Sequence, residues 1–430
     1  MNIAIIGSGP SAFYTIQSFL RADIEINVDV FEKHPAPFGL VRYGVAPDHQ
    51  KTKNITRLFA KYLSEKNVNF YGNVIVGKDL DISFLSSLYD AVIISTGASD
   101  DKNLNIEGSN LNGVYGSGEF VGWYNGNSLN EALNPNFDTK NAVIIGNGNV
   151  ALDCARILSK TYNEFYGSDI TDYSLKKLVL SKIENIYVVG RRTPKDSKFT
   201  IAELRELGNL DNYNPHVNFK SDLLSDILKD TKIDTKIKKN IELLLSFKNI
   251  INENKNKIFF DFLLTPFKIN GDNKVESITF KRNKIVNNKL EITNETQTIK
   301  TNLVISAIGY KVNPLKGINL DITKNYYSNK DGHIKNNIYT NGWASGASVG
   351  VIGSNKIGAS ILVKKILDEV NSNKTNSNKK LISFFTDNNI RYIDKIRWNK
   401  IDDIETKEAS KNFSRKKLVN ILEIYKKLSI

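Results

Sequence analysis

The sequence predicts an α/β fold with two three-layer domains. The main observation is a repeated pattern: a short apolar run, a glycine turn and a helical pattern occur at the start of the chain and again from residue 142. Further apolar runs at 89–98 and 301–310 end in small residues, which is typical of buried strands whose backbone approaches a ligand. The chain has 430 residues, enough for two or three domains with separate cores.

The first unit runs from "NIAII" through "GSGPSA" into a helical pattern, and the next strand, "INVDVFEK", contains Glu32 near its end. Gly7 permits a tight turn, Gly9 lets the backbone approach a pyrophosphate, and Ala12 allows the helix to pack closely on the strand. The Glu32 carboxylate can accept hydrogen bonds from a ribose diol. The unit predicts a Rossmann-like dinucleotide site, here for FAD; the alternative is a purely structural turn.

The second unit, "AVIIGNGNVALDCARIL", repeats the pattern with Gly146, Gly148 and Ala151. Its next clear strand, "NIYVVGRR", follows an unusually long connection and ends in Arg191 and Arg192. A carboxylate would repel a 2′-phosphate, whereas arginines bind one through charge-assisted hydrogen bonds. The unit therefore predicts an NADP(H) site; the alternative is a pair of solvated arginines at a strand end.

Two dinucleotide sites in one chain imply hydride transfer between the cofactors. Cys154 is the only cysteine, so the count excludes a disulfide within the chain, a Cys-rich zinc site and ligation of an iron–sulfur cluster. We predict no metal site. Electrons that arrive as a hydride must leave to an external acceptor.

Composition and charge limit the possible partners. No apolar run approaches the roughly 18 to 20 residues that cross a bilayer, and the chain opens directly on a strand pattern, so we predict a cytoplasmic protein, or a mitochondrial matrix protein in a eukaryote. We also predict a monomer. The formal net charge of +13 lies in scattered Lys- and Asn-rich stretches. Solvated surface, an acidic protein partner and nucleic acid could each explain it; because no nucleic-acid motif accompanies the charge, we predict neither a nucleic-acid partner nor a membrane partner.

Several stretches together resemble the adrenodoxin reductase family, the NADPH-dependent ferredoxin reductases. They include "IIGSGPSAFYT", "PFGLVRYGVAPDHQKTKN", "VIIGNGNVALDCARIL", "VVGRRTPKDSKFTIAELREL" and "NGWASGASVGVIGSNKIGA", in the order of the family. The resemblance implies a glutathione-reductase-like organisation in which an NADP(H) domain, 107–331, is inserted into an FAD domain formed by 1–106 and 332–430.

The resemblance also implies site residues beyond the glycine turns. Those expected at FAD, besides Gly7, Gly9, Ala12 and Glu32, are Ser11, Leu40, Val76, Trp343, Gly350, Val351 and Ile352. Those expected at NADP(H), besides Gly146 and Gly148, are Asn147, Asn149, Val150, Arg191, Arg192 and Glu203, with Gly350 near the nicotinamide.

His49 in "APDHQ" and Asp153 in "NVALDCAR" form the polar pair expected near the flavin and the nicotinamide. Asp153 is placed at the start of a helix, where the dipole would stabilise a carboxylate without any catalytic duty. The other histidines are interpreted as surface or packing residues. Where the family has a Lys-Arg pair after its Trp, this chain has Ser345 and Gly346. Two positive charges are therefore absent at a position expected to affect binding of the nicotinamide half of NADP(H) or of the acceptor.

The resemblance implies an enzyme, a ferredoxin–NADP(+) reductase that transfers a hydride from NADPH to FAD and then single electrons to a small acidic [2Fe–2S] ferredoxin. The alternatives are an NADPH-dependent flavin oxidase or monooxygenase, and a nucleotide-binding redox sensor without catalysis. The stretch 208–300 contains an amphipathic helical pattern at "DTKIKKNIELLLSF" and shows no chemistry. After about residue 356 the sequence predicts helices at "KIGASILVKKILDEV", "LISFFTDN" and "KKLVNILEIYKKL", which are interpreted as packing elements.

Overall fold

The structure is a computed structural model that describes residues 1–248, 250, 255–287, 289–346, 352–372 and 377–430. Within these ranges the chain forms two six-stranded sheets, a three-stranded sheet and two short two-stranded ones. The strands are β1 (Asn2–Ile6), β2 (Asn27–Glu32), β3 (Val68–Gly72), β4 (Ala91–Ile94), β5 (Asp100–Asp101), β6 (Val114–Gly116), β7 (Asn141–Ile145), β8 (Asn185–Val189), β9 (Tyr213–Asn218), β10 (Asn256–Asp261), β11 (Leu264–Asn270), β12 (Ser277–Val286), β13 (Lys289–Lys300), β14 (Leu303–Ser306), β15 (Tyr310–Lys311), β16 (Leu320–Asp321), β17 (Tyr326–Tyr327), β18 (His333–Lys335) and β19 (Ile338–Thr340).

Helices cover both large sheets. They are α1 (Pro10–Leu20), α2 (Leu40–Tyr43), α3 (Gln50–Lys53), α4 (Ile55–Ser64), α5 (Ile82–Leu88), α6 (Ser117–Asn125), α7 (Asn149–Ser159), α8 (Asp172–Leu178), α9 (Ile201–Leu207), α10 (Ser221–Lys229), α11 (Thr235–Phe247), α12 (Asn355–Glu369), α13 (Ser377–Asp387), α14 (Lys395–Lys407) and α15 (Ile421–Leu428). Across these described helices, none has the length and apolar character needed to cross a membrane.

The first large sheet has the order β18-β19-β4-β1-β2-β3, with all neighbours parallel except the pair β18 and β19. Its central strand shows why the apolar run is uninterrupted. Ile3 and Ile5 are buried in one hydrophobic cluster, and Ala4 and Ile6 are buried in another. Because successive side chains point to opposite faces, a strand covered on both faces must be apolar throughout.

The last helices of the chain complete the core around this first sheet. Leu362 and Ile366 of α12, together with Trp398 of α14, pack in the cluster of Ile3 and Ile5. Leu381 of α13 packs in the cluster on the other face. The interpretation of the tail helices as packing elements is confirmed, although the pattern did not predict α14.

The second large sheet has the order β6-β14-β7-β8-β10-β9 and is parallel throughout. Its central strand, β7, lies between β14 and β8, as β1 lies between β4 and β2 in the first sheet. The two sheets therefore place their glycine turns, which follow β1 and β7, at equivalent positions. The prediction of an α/β protein with two Rossmann-like three-layer domains is confirmed.

The stretch 208–300 contains an element that the sequence did not predict as a unit, the antiparallel sheet β11-β12-β13. Helices cover one face of the second large sheet, and this antiparallel sheet covers the other. Phe280 and Ile278 of β12 pack in one cluster with Val143 of β7 and Val304 of β14. The antiparallel sheet is thus the third layer of its domain.

The chain crosses between the two large sheets at two neighbouring places, where β5 pairs with β15. Val312, Ile318 and Tyr327, which follow the second crossing, pack in the cluster of Ala4 and Ile6. The predicted domain ranges, 1–106 with 332–430 and 107–331, stay a prediction. We propose that the second boundary lies nearer to residue 310, because the residues that follow pack on the first sheet.

Candidate functional site

The first glycine turn connects β1 to α1 and leaves room for a ligand. Gly7 has φ +99°, and a Cβ on it would lie 2.6 Å from the carbonyl oxygen of Ser95, at the end of the neighbouring strand. Only glycine fits such a position. A Cβ on Gly9, by contrast, would meet no described atom within 4 Å. The turn thus packs tightly against the neighbouring strand end at Gly7 and leaves free space beside Gly9.

The second glycine turn, between β7 and α7, has the same geometry. Gly146 has φ +138°, and a Cβ on it would lie 2.2 Å from the carbonyl oxygen of Ala307, while a Cβ on Gly148 would meet no described atom within 4 Å. In the described part of the chain, neither α1 nor α7 has a side chain hydrogen-bonded to its N-terminal N–H groups. Both turns therefore offer free helix N-termini, which favour phosphate.

Glu32 is buried at the end of β2 and fastens the first turn. Its Oε2 accepts hydrogen bonds from the backbone N–H of Ser8 at 3.0 Å and from the Ser8 hydroxyl at 2.6 Å, and its Oε1 accepts one from the N–H of His34 at 3.0 Å. A carboxylate offers about four acceptor positions. Glu32 therefore holds the turn and keeps capacity for a ribose diol.

The second domain replaces this carboxylate by a glycine. In the register of the two sheets, Gly7 N–H bonds to Phe31 O and Gly146 N–H bonds to Val189 O, so Gly190 is the equivalent of Glu32. Arg191 and Arg192 follow one and two positions later, and both are exposed. The strand end thus carries no carboxylate at the ribose position and presents two guanidinium groups beside it.

Asn147 fills the space above Gly190, where a Cβ would lie 1.8 Å from the Asn147 amide nitrogen. Its Oδ1 is buried without a hydrogen-bond partner among the described residues, and the same holds for Oε2 of Glu203. The segment before α9 is fastened to the turn, because Lys198 N–H donates to Asn147 O at 2.7 Å and Thr200 N–H donates to Asn149 Oδ1 at 2.7 Å. Two predicted NADP(H) residues thus hold buried polar atoms that a ligand can satisfy.

Three of the other residues predicted at FAD, Ser11, Leu40 and Trp343, lie beside the first turn. A Cβ on Gly39 would lie 2.8 Å from Gly9 Cα, which places Leu40 beside the turn, and one on Gly342 would lie 2.7 Å from Ser11 Cβ, which places Trp343 there. Val76 is buried two residues after Val74, whose N–H donates a hydrogen bond to Glu32 O. Ile352 packs against the core of the first sheet. Gly350 and Val351 lie outside the described residues, as do positions 347–349.

An ion-pair network joins the two domains next to His49, and its centre is Arg156, whose side chain is 3% exposed. Arg156 pairs with Asp48, with Asp153 at 2.7 Å and with Glu206 at 3.0 Å. His49 Nε2 lies 2.9 Å from Glu206 Oε2. The predicted pair His49 and Asp153 is therefore connected through Glu206 and Arg156.

The network sets the charge of its members. Burial disfavours the charged form of Asp48, but Arg156 and Lys160 outweigh it and lower the pKa of Asp48 to about 2. Burial prevails at Asp153 and raises its pKa, although Arg156 opposes the shift. The hydrogen bond with Glu206 raises the pKa of His49 against the effect of burial. The buried guanidinium of Arg156 is thus paired with three carboxylates, and their pKa values are shifted in different directions.

Comparison with known proteins identifies the family. Residues 1–171 match the family model described as pyridine nucleotide-disulphide oxidoreductase. The chain is 37% identical over 385 residues to NADPH-ferredoxin reductase FprA of Mycobacterium tuberculosis, which covers 86% of this chain and 84% of the relative. It is 32% identical over 435 residues to the mitochondrial NADPH:adrenodoxin oxidoreductase of Drosophila melanogaster, covering 98% and 92% of the two chains.

The chain belongs to the adrenodoxin reductase family. Its fold agrees, because the structure of M. tuberculosis FprA in complex with NADPH superposes with a TM-score of 0.94 at 34% identity, covering 99% of this chain and 98% of the other. The predicted family resemblance is confirmed. The matching family model is named after reduction of disulfides. This chain has a single cysteine, the buried Cys154, and therefore no cysteine pair for that reaction.

In this family member the structure corrects one expectation and adds residues that the sequence analysis missed. Asp153 lies in the second turn of α7, and the first turn contains no acidic residue, so the expected stabilisation by the helix dipole is wrong. Arg156 and Glu206 were missed. Their spacing gave a signal, since each lies three residues after a predicted site residue, Asp153 or Glu203, on the same helical face.

We expect the substitution Glu206→Gln to lower the pKa of His49, because the hydrogen bond with Glu206 is the largest cause of its rise. The folded-state pKa lies above the ordinary value of 6.5. The protonated His49 therefore stabilises the fold below about pH 6.5, and this contribution is lost as the pH rises through the folded-state pKa. NMR titration of the His49 ring proton in the FAD-loaded protein measures the shift.

His216 is the internal control for this titration, because burial lowers its pKa and Glu206 plays no part in that shift. Its titration should be the same in both proteins. A His49 that titrates at or below 6.5 in the unmodified protein, or that ignores the substitution, would contradict the assigned hydrogen bond.

Proposed function

We propose that the chain is an FAD-dependent NADPH:ferredoxin reductase in which the first glycine turn binds FAD and the second binds NADPH. One observation carries this assignment. In each of two equivalent turns, an added Cβ would clash with the protein at the first glycine and would meet free space at the second. The strand end beside the first turn carries Glu32, whereas the strand end beside the second carries Gly190, Arg191 and Arg192. The first matches a plain ribose diol and the second a 2′-phosphate.

The residues around the first turn fit FAD. Gly9 leaves space for the pyrophosphate at the N-terminus of α1, and Glu32 keeps about one free acceptor position for the adenosine ribose. We propose Ser11, Leu40, Val76, Trp343 and Ile352 as further FAD contacts, together with Gly350 and Val351.

The residues around the second turn fit NADPH. Gly148 leaves the space for its pyrophosphate, and Arg191 and Arg192 bind the 2′-phosphate. We propose Asn147 and Glu203 as polar contacts, because each holds a buried oxygen without a partner in the described ranges. Asn149 and Val150 form the first residues of α7 and complete the site.

Bound FAD supplies the redox chemistry, since a flavin accepts an electron pair as a hydride and can release single electrons. The chain supplies position and charge. We propose that His49 and Asp153 lie near the reacting rings and that Arg156 fixes both, directly at Asp153 and through Glu206 at His49. Because a raised pKa keeps His49 protonated more readily, this histidine offers a donor at the junction of the two domains.

The electron acceptor that we propose is a small acidic [2Fe–2S] ferredoxin. Two relatives are named after reduction of ferredoxin or adrenodoxin, and the chain carries a formal net charge of +13. A basic protein attracts an acidic partner over a Debye length and accelerates their encounter. The names of the relatives do not favour an oxidase, a monooxygenase or a sensor without catalysis. Monomeric state and compartment stay predictions.

We expect kcat/KM for an acidic [2Fe–2S] ferredoxin, with NADPH saturating, to fall about tenfold or more when ionic strength rises from about 0.01 M to about 0.5 M. Screening weakens the attraction between the opposite charges. Stopped-flow or steady-state reduction of the ferredoxin measures this. A small neutral quinone is the control acceptor, and its rate should change little. A ferredoxin rate indifferent to salt would exclude electrostatic steering, and failure to reduce ferredoxin at any salt would exclude the proposed acceptor.

A further inference from the structure

The backbone around the arginine pair is held by the corner that leads into the antiparallel sheet, in addition to the bond from Gly190 N–H to Asp261 O within its own sheet. Gly190 O accepts a hydrogen bond from Leu264 N–H at 3.1 Å, and Arg192 O accepts one from Leu263 N–H at 3.1 Å. Leu263 has φ +58°, an unusual value for a leucine, at the corner between β10 and β11. The corner thus presents two successive N–H groups to the strand end that carries Arg191 and Arg192.

The remaining carbonyl, that of Arg191, is held by a side chain. Asn283 Nδ2 donates to Arg191 O at 2.7 Å, and the same amide group exchanges hydrogen bonds with the Thr265 hydroxyl at 2.8 and 3.1 Å. Of the two ends of the Asn283 amide, only the NH₂ group can donate to a carbonyl, so the contact with Arg191 fixes which end faces the loop. Asn283 is 7% exposed, and its amide is committed to these partners.

A β-bulge places Asn283 there. The pairing of β12 with β13 shifts register between Lys281 and Asn283, and Asn283 N–H donates to Leu263 O at 2.7 Å. A bulge re-aims the side chains that follow it. Beyond this register shift, the Asn283 amide contacts the Arg191 carbonyl, although the two residues lie 92 positions apart along the chain.

We propose that Asn283 is a positioning residue that sets the preference for NADP(H) over NAD(H). Its amide holds the carbonyl of Arg191, so that all three carbonyls from Gly190 to Arg192 are fixed. The backbone is then rigid at the point where two exposed guanidinium groups must meet one phosphate. This inference rests on the proposed function, because it needs NADP(H) at the second turn.

The substitution Asn283→Ala removes the donor and frees the Arg191 carbonyl. We expect the dissociation constant for 2′,5′-ADP, measured by calorimetry on the FAD-loaded protein, to rise about three- to tenfold, as the loss of one hydrogen bond allows. Binding of 5′-AMP, which lacks the 2′-phosphate, should be unchanged. In turnover, KM for NADPH should rise by the same factor, with kcat and the KM for NADH unchanged.

Asn270→Ala is the matched control. Asn270 lies in the same antiparallel sheet and also bonds through its amide, to the hydroxyls of Ser277 and Thr279 at 3.0 Å, but within the described ranges it makes no hydrogen bond to the arginine pair. This variant should leave both ligands unaffected. Thr265→Val is a second test, because it removes the hydroxyl that orients the Asn283 amide and should weaken 2′,5′-ADP binding to a smaller extent.

The outcomes separate this inference from the proposed function. Equal losses for 2′,5′-ADP and 5′-AMP, or no loss for either in both Asn283→Ala and Thr265→Val, would overturn the role of Asn283. The double variant Arg191→Ala/Arg192→Ala decides the rest. If that variant still prefers 2′,5′-ADP over 5′-AMP, the arginine assignment itself is wrong. If it loses the preference while Asn283→Ala keeps it, only the present inference fails.

Discussion

Replacing both Arg191 and Arg192 by alanine is expected to raise the KM for NADPH at least about a hundredfold. Each charge-assisted hydrogen bond to the 2′-phosphate contributes about 1.5 to 3 kcal/mol, and about 1.4 kcal/mol corresponds to a factor of ten. The KM for NADH should hardly change, because NADH lacks this phosphate. Steady-state kinetics with both nucleotides and a neutral acceptor measure the two constants.

The double variant Arg21→Ala/Arg57→Ala is the matched control. Both arginines are exposed in the first domain, so their loss removes the same net charge away from the second turn. We expect it to leave the preference for NADPH intact. If the two double variants weaken NADPH equally, the effect comes from overall charge. If losing Arg191 and Arg192 harms both nucleotides alike, these side chains do not recognise the 2′-phosphate.

The second large effect is expected from alanine at the open glycine of each turn. Gly9 has φ −81° and Gly148 φ −114°, and neither position has a described atom within 4 Å of an added Cβ, so both variants should fold. Gly9→Ala should weaken FAD binding about a hundredfold, since losing two hydrogen bonds from backbone N–H groups to the pyrophosphate costs about 3 kcal/mol. Gly148→Ala should retain FAD and lose NADPH by a similar factor.

Each glycine variant is the control for the other, because the same chemical change is made in equivalent turns. FAD content is measured from the absorbance of the purified protein, NADPH binding by calorimetry, and folding by circular dichroism and thermal unfolding. Loss of FAD in Gly148→Ala with retention in Gly9→Ala would reverse the assignment of the two turns. Two folded variants that bind both ligands normally would show that neither turn approaches a pyrophosphate.

Much of the fold could be predicted because the signals are local. Strand β1 coincides with the apolar run "NIAII", and α11 coincides with the amphipathic pattern from residue 234. A strand buried on both faces is apolar throughout, whereas a helix buried on one face has apolar residues at helical spacing, so the two patterns differ in the sequence. The last helix was predicted too long, since α15 begins only at Ile421. Asn420 accepts hydrogen bonds from the N–H groups of Leu422 and Glu423 and starts the helix there.

The parts of the site that could not be predicted depend on contacts distant along the chain. Asn283 lies on a strand that shows no chemistry by itself, and only the folded chain brings its amide to the Arg191 carbonyl. His49 contacts Glu206, which lies 157 positions later in the chain, and no local pattern in either segment indicates this contact. The glycine turns were predictable because the phosphate-binding signal is contained in six consecutive residues.

This chain is expected to have two working nucleotide sites of different preference. The most direct test is anaerobic rapid mixing of the FAD-loaded protein with NADPH or with NADH, following the loss of the oxidised-flavin absorbance. We expect fast loss with NADPH and slow loss with NADH at equal concentrations. A flavin that stays oxidised with NADPH, or that is reduced equally fast by both nucleotides, would contradict the assignment.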